Sequence, residues 1–151
     1  MTTQTRRDDT PAAAEQPLVK AYALDHANLH VRDVEASLRF YTGTLGLNDY
    51  TVMDRDDQGR PSFVQFRVGQ QLVFLMQRPD YTAPADVRQR GLNHICLRIE
   101  PTDPERLQEA LRARGITVRS TRVGRNPPTF SVYIEDPDGH GVELEQDTPA
   151  G

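Results

Sequence analysis

LDHANLHV, Leu24 to Val31, and LNHICLRI, Leu92 to Ile99, are two versions of one phrase. Each sets a histidine two residues after a leucine inside an alternating run, the pattern of a half-buried strand. His26 and His94 lie 68 residues apart, and Leu45-Gly46-Leu47 returns as Arg114-Gly115-Ile116 at an offset of 69. The chain therefore reads as a duplicated unit with one imidazole at the same place in each copy. A third stretch, DPDGHGVELEQ from Asp136 to Gln146, supplies a strand that carries Glu143. Two histidines and a carboxylate on separate strands form a donor set for a divalent metal ion.

The order of elements repeats around these phrases. After the first strand, drawn from about Ala21 to Val31, Asp33 offers an N-cap, and Val34, Leu38 and Tyr41 follow at helical spacing. Glycines at 43 to 46 stop that helix. Strands are expected at Asp49–Asp54, Ser62–Val68 and Gln71–Gln77, with turns at Asp57–Gly59 and Gly69. The second copy runs as a strand over Asn93–Glu100 and a helix from Asp103-Pro104 to Gly115. Strands over Thr117–Val123, Thr129–Glu135 and Gly141–Gln146 complete it. Each copy is βαβββ, about 50 residues, too small to bury a core alone. The expected fold is α+β: two βαβββ modules forming one curved mixed sheet around a metal-binding cleft. Module one spans 20–78 and module two 91–146, within one domain over 18–147. Residues 1–17 and 148–151 are expected to be disordered tails.

Composition narrows the class of function. The chain has 151 residues, 36% hydrophobic and 26% charged, with a net charge of −4. That balance argues against nucleic acid or an anionic membrane as partner. No run is long and apolar enough for a membrane span, and the N-terminus lacks the apolar core of a secretion signal. A single cysteine, Cys96, excludes an intramolecular disulfide. The cytoplasm is the expected compartment, a small molecule the expected ligand, and a homodimer the expected assembly, because a small cleft-forming sheet leaves edges to cover.

Strand alternation adds residues to each wall. His26, Asn28 and His30 share one face of the first strand; His94, Cys96 and Arg98 share one face of its counterpart. His30 is the evident imidazole free for proton transfer, with catalysis weighed against a plain surface role. Glu145 competes with Glu143, since both lie on one strand face. Cys96 is weighed as a buried small side chain more than a nucleophile. His140, in the turn, is expected in solvent, and Phe40 and Tyr41 are expected to anchor the helix on the sheet.

The strings LDHANLHVRDVEASLRFYTGTLGL, GLNHICLRI, LQEALRARGITV and FSVYIEDPDGHGVELEQ together resemble the vicinal oxygen chelate superfamily, which includes glyoxalase I, fosfomycin-resistance enzymes, bleomycin-resistance proteins and extradiol dioxygenases. The resemblance implies metal ligands at His26, His94 and Glu143, and it favours Glu143 over Glu145. It implies a metal-dependent enzyme whose small oxygenated substrate chelates the ion through neighbouring oxygens. Iron(II) or manganese(II) suits two histidines and a carboxylate; zinc or nickel is also compatible. It further implies a substrate-anion role for Arg98 and a catalytic hydroxyl at Tyr133, ten residues before Glu143, while strand alternation makes Asn28 and Cys96 substrate-facing. The chain departs from glyoxalase I at the fourth ligand: the matching position is Leu75 or Phe74, neither of which binds metal. It departs from the extradiol dioxygenases by lacking histidines in the later strands. Whether the reaction is a dioxygenation or a lyase or isomerase step stays open, as does a rival reading, a bleomycin-resistance-type protein that sequesters a small molecule without catalysis.

Overall fold

A computed structural model describes residues 23–86, 89–125 and 128–148. The proposed N-terminal tail lies outside the described residues, as does most of the C-terminal one. Module one consists of β1 (His26–Val31), α1 (Val34–Gly43), β2 (Tyr50–Arg55), β3 (Pro61–Val68) and β4 (Gln71–Gln77). Module two consists of β5 (Ile95–Arg98), α2 (Pro104–Ala113), β6 (Val118–Arg125), β7 (Pro128–Glu135) and β8 (Gly141–Asp147). No helix among the described residues is long and apolar enough to cross a membrane.

Local chemistry sets the helices as the sequence implies. The Asp33 carboxylate accepts from the backbone N–H of Glu35 and Ala36, and Asp103 does the same for Glu105 and Arg106. Each cap satisfies N–H groups that the first helical turn leaves without partners. Gly46, Gly59, Gly69 and Gly115 all carry positive φ, the left-handed conformation that lets a chain reverse without a Cβ clash.

The two modules are topological copies. The sheet orders are β1-β4-β3-β2 and β5-β8-β7-β6, with β1–β4 and β5–β8 parallel and the remaining pairs antiparallel. In each sheet one face is apolar and carries its helix. Leu29, Val31, Val64, Phe66, Val73 and Leu75 lie beneath α1, which contributes Val34, Phe40 and Tyr41. Leu97, Val132, Ile134, Val142 and Leu144 form the corresponding layer of module two, joined by Leu111 from α2.

One expectation needs correction. The sheets do not merge into a single eight-stranded sheet. Among the described residues β1 pairs as a strand only with β4, and β5 only with β8, so neither sheet continues across the other edge. The modules are joined instead through side chains. The β7–β8 turn of module two reaches the start of α1, where Asp138 accepts from the backbone N–H of Arg32 at 3.1 Å and its Nε at 2.7 Å. Ser37 Oγ donates to Asp138 at 3.4 Å, and Tyr41 Oη donates to Asp136 at 3.1 Å. Burial raises Asp136 above the ordinary carboxylate range, although His140 and the hydrogen bonds it accepts oppose the shift. β5 is also shorter than expected. Ile99 N–H still donates to the Glu145 carbonyl at 2.9 Å; beyond it the buried Gln146 side chain holds the chain, accepting from Thr102 N–H and donating to Thr102 C=O, both at 2.8 Å.

Candidate metal and substrate site

The open face of module two's sheet is polar, and strand register arranges it in rows. Cys96 stands opposite Glu143, Glu143 opposite Tyr133, and Tyr133 opposite Ser120. The next row is Arg98, Glu145, Ser131 and Arg122. His94 precedes the first row at the end of β5.

Three of the expected site residues converge. His94 Nε2 lies 2.9 Å from Glu143 Oε2, and Tyr133 Oη donates to Glu143 Oε1 at 2.7 Å. The His94 and Tyr133 rings meet edge to face, with centroids 5.5 Å apart. Asn93 Oδ1, an acceptor, lies 2.7 Å from His94 Nδ1. That contact holds the ring with Nε2 directed at the carboxylate, the orientation a metal-ligating imidazole needs. Glu143 is 6% exposed. Burial alone would raise its pKa, but donation from Tyr133 and Ser131 and the nearby His94 and Arg122 outweigh it and hold the group below the ordinary range. A buried carboxylate whose pKa is held down, with an imidazole nitrogen 2.9 Å away, is a donor pair that fits a divalent ion.

His26 is elsewhere. Its Nδ1 pairs with Asp25 at 2.8 Å, and its ring tilts over Phe74 at 4.6 Å between centroids. Among the described residues no group of three His, Cys, Asp or Glu side chains comes together in one chain to hold a metal ion. A single chain thus assembles His94 and Glu143 and not the full set. Register also resolves which residue of module one matches Glu143. Asn28, two past His26, pairs with Phe74, just as Cys96, two past His94, pairs with Glu143. The counterpart is Phe74, a phenyl ring that cannot bind metal.

The remaining expected residues fall as follows. Asn28 and His30 are exposed on the open face of β1, as alternation requires. The His30 ring approaches Tyr81 edge-on at 6.4 Å. Cys96 is not the buried side chain expected: it sits on the open, polar face of the sheet and is exposed, and partial desolvation together with Glu143 and Glu145 pushes its thiol up to about 11. Arg98 is already engaged, donating to Glu145 at 2.7 Å and to Asp147. His140 is not a free solvent residue: its ring stacks on Tyr81 at 5.1 Å, and its Nε2 lies 2.6 Å from the His30 carbonyl. Arg122 is a residue the sequence reading missed. Its guanidinium acts on both Tyr133 and Glu143, opposing the rise that burial imposes on the Tyr133 hydroxyl. A basic residue on β6 was visible in the sequence, but its row was not, because the β6–β7 pairing is irregular between Val118 and Ser120.

Gly141 makes room for this site. A Cβ there would stand 2.3 Å from the Asn93 carbonyl oxygen and 3.1 Å from His94 Cβ. The obstacle is backbone, so it cannot rotate away. Gly141→Ala should force β5 from β8, costing about 2 kcal/mol by the usual penalty for overpacking. Thermal unfolding checks the cost. A retained His94–Glu143 contact in a structure of the variant would contradict the account.

Comparison with known proteins agrees with this fold. The fosfomycin resistance protein FosX of Mesorhizobium japonicum is 26% identical over 125 residues, covering 83% of this chain and 86% of that protein. The lactoylglutathione lyase of Pseudomonas putida is 26% identical over 165 residues, covering 91% and 92%. The crystal structure of a glyoxalase/dioxygenase from Nostoc punctiforme superposes with a TM-score of 0.62 at 22% identity, covering 86% of this chain and 99% of that one, a likeness of fold. The Glyoxalase/Bleomycin resistance protein/Dioxygenase superfamily model matches residues 23–144, and the chain belongs to that superfamily.

Proposed function

We propose that the protein is a metal-dependent enzyme acting on a small oxygenated substrate, and that its site is shared between two copies of the chain. His94 and Glu143 of one copy and His26 of the other would hold a divalent ion. The observation that carries this reading is the 2.9 Å approach of His94 Nε2 to Glu143 Oε2, with the second carboxylate oxygen already fixed by Tyr133. The open edges of β1 and β5 and the exposed face of His26, Asn28 and His30 support contribution from a second copy. A divalent ion bound there would act as a Lewis acid toward adjacent substrate oxygens and lower their basicity.

The chain's own groups have distinct tasks. Asn93 orients the His94 ring. Tyr133 orients Glu143, and its hydroxyl is the nearest donor to whatever oxygen occupies the site. Arg122 supplies the positive charge that Arg98 was expected to supply, since Arg98 is neutralised by two carboxylates. The facing wall differs in character. Phe63 and Phe74, edge to face at 5.4 Å, and Met76 lie half-buried on the open side of module one's sheet. An apolar wall opposite a polar one suits a substrate with an apolar body and two oxygens at one end. Iron(II) or manganese(II) remains the preferred ion, with zinc or nickel as alternatives.

Complementation between inactive copies tests the sharing. His26→Ala and Glu143→Ala chains each lack one ligand. Unfolded together and refolded, they should form mixed dimers in which one of the two sites is intact, and metal content should recover. No recovery, with both chains folded and dimeric, would place all ligands in one chain or none. A wild-type dimer that purifies without stoichiometric metal and binds an aromatic drug in this cleft would favour sequestration.

A further inference from the structure

A cavity of about 680 Å³ lies away from the metal site, between α1 and the start of β6. Five arginines line it: Arg32 before α1, Arg39 on α1, Arg90 ahead of β5, Arg114 at the end of α2, and Arg119 on β6. Three carboxylates, Glu135, Asp136 and Asp138, oppose them, leaving two positive charges in excess. The chain as a whole carries −4. A concentration of guanidinium groups against that background focuses a positive potential into one cleft.

The carboxylates do not exhaust these arginines. Asp138 takes the Nε of Arg32, and Glu135 Oε1 is shared between Arg90 and Arg119. Arg90 is held further by the carbonyls of Pro84 and Gly139, so it is a fixed part of the wall. Arg114 commits one nitrogen, Nη1, to the Gly43 carbonyl at 3.0 Å. Arg39 has no hydrogen bond or ion pair at all among the described residues. Arg39 and Arg114, from different modules, therefore present uncommitted N–H groups to one space, with Phe40 and Ile116 as apolar lining.

We propose that this inter-module cleft binds a small dianion of the phosphate-monoester type, gripped by Arg39 and Arg114. The excess of two charges matches a dianion, and the planar guanidinium fork pairs with two phosphate oxygens at once. Because its walls come from both modules, an occupant would also brace α1 against module two. The site is independent of metal binding: His94, Glu143 and Tyr133 do not line it.

Calorimetric titration of the full chain with inorganic phosphate and with glycerol 2-phosphate, with EDTA present, tests the site. Sodium acetate and chloride at matched ionic strength are the controls. Saturable binding of both phosphates is expected, with acetate at least about tenfold weaker. Arg39→Glu, at an exposed side chain with no partner among the described residues to lose, should weaken phosphate binding about tenfold or more. Arg114→Ala should act in the same direction. Heat no greater than the chloride control overturns the proposal. So does binding that survives Arg39→Glu and disappears in Arg122→Ala, which would locate the anion at the Tyr133 face instead.

Discussion

Glu143→Ala lowers affinity for iron(II) or manganese(II) by about a hundredfold or more and leaves the chain folded. Loss of a residue that only orients a metal ligand typically costs about 10–100-fold in metal affinity, and Glu143 is a direct donor in the proposed site. The remaining ligands would be two neutral imidazoles, one from each copy, with no anion to offset the ion's charge. Folding should change by only about 1 kcal/mol, because the Tyr133 hydroxyl that loses its acceptor is partly exposed and can turn to water. Glu145→Ala is the matched control. Glu145 lies two residues on, facing the same side, but it accepts from Arg98 at 2.7 Å and Ser131 at 3.4 Å, one row away from His94. It should leave metal affinity within severalfold of wild type. Equilibrium competition with a chromogenic chelator reads both variants. If Glu145→Ala strips the ion and Glu143→Ala retains it, the site has been assigned to the wrong carboxylate.

How much of this site the sequence could carry depends on the kind of information involved. Alternation places His26, Asn28 and His30 on one face and His94, Cys96 and Arg98 on another because it is a property of a single strand, and the structure agrees. Asp33 and Asp103 are readable as caps for the same reason: capping is local. The match of module one to Glu143 was ambiguous between Leu75 and Phe74 because the two repeat landmarks give offsets one residue apart, and only β1–β4 register decides for Phe74. Long-range placement was less legible. Nothing in LDHANLHV states whether β1 pairs with β5, so one merged sheet was a natural expectation and two separate sheets the outcome. His140 looks like a turn residue in solvent until Tyr81, almost sixty positions earlier, is found stacked against it. Arg98 looks like a substrate anchor until Asp147, at the end of β8, is found beside Glu145 as its partner.

The second large effect belongs to Asp136, and it concerns how the modules hold together. Asp136 is 5% exposed and serves four groups. Its Oδ1 accepts from the backbone N–H of Asp138 at 2.9 Å and of His140 at 2.8 Å, and its backbone N–H donates to the His140 carbonyl at 3.0 Å. Its Oδ2 accepts from Tyr41 Oη, whose side chain is fully buried in module one. Asp136→Ala therefore strands a buried phenol and two turn N–H groups at once. The loss should be about 3 kcal/mol, the upper range for a buried acceptor serving several donors. Because Asp138 depends on the same turn, Arg32 and Ser37 should lose their acceptor as well, and the modules should exchange amide hydrogens faster at α1 than at the centre of either sheet. Asp136→Asn preserves the acceptor and should cost much less. It also isolates the charge. The folded pKa of Asp136 lies above its unfolded value, so the folded chain binds more protons between the two, and stability attributable to this group rises as pH falls through the folded pKa and is lost as pH rises through it. Between the ordinary carboxylate range and that raised value, wild type should gain on Asp136→Asn with each step toward acid. Denaturant unfolding of the two chains across that interval gives the difference directly, and a difference independent of pH would mean that Asp136 is ionised as easily in the fold as in water.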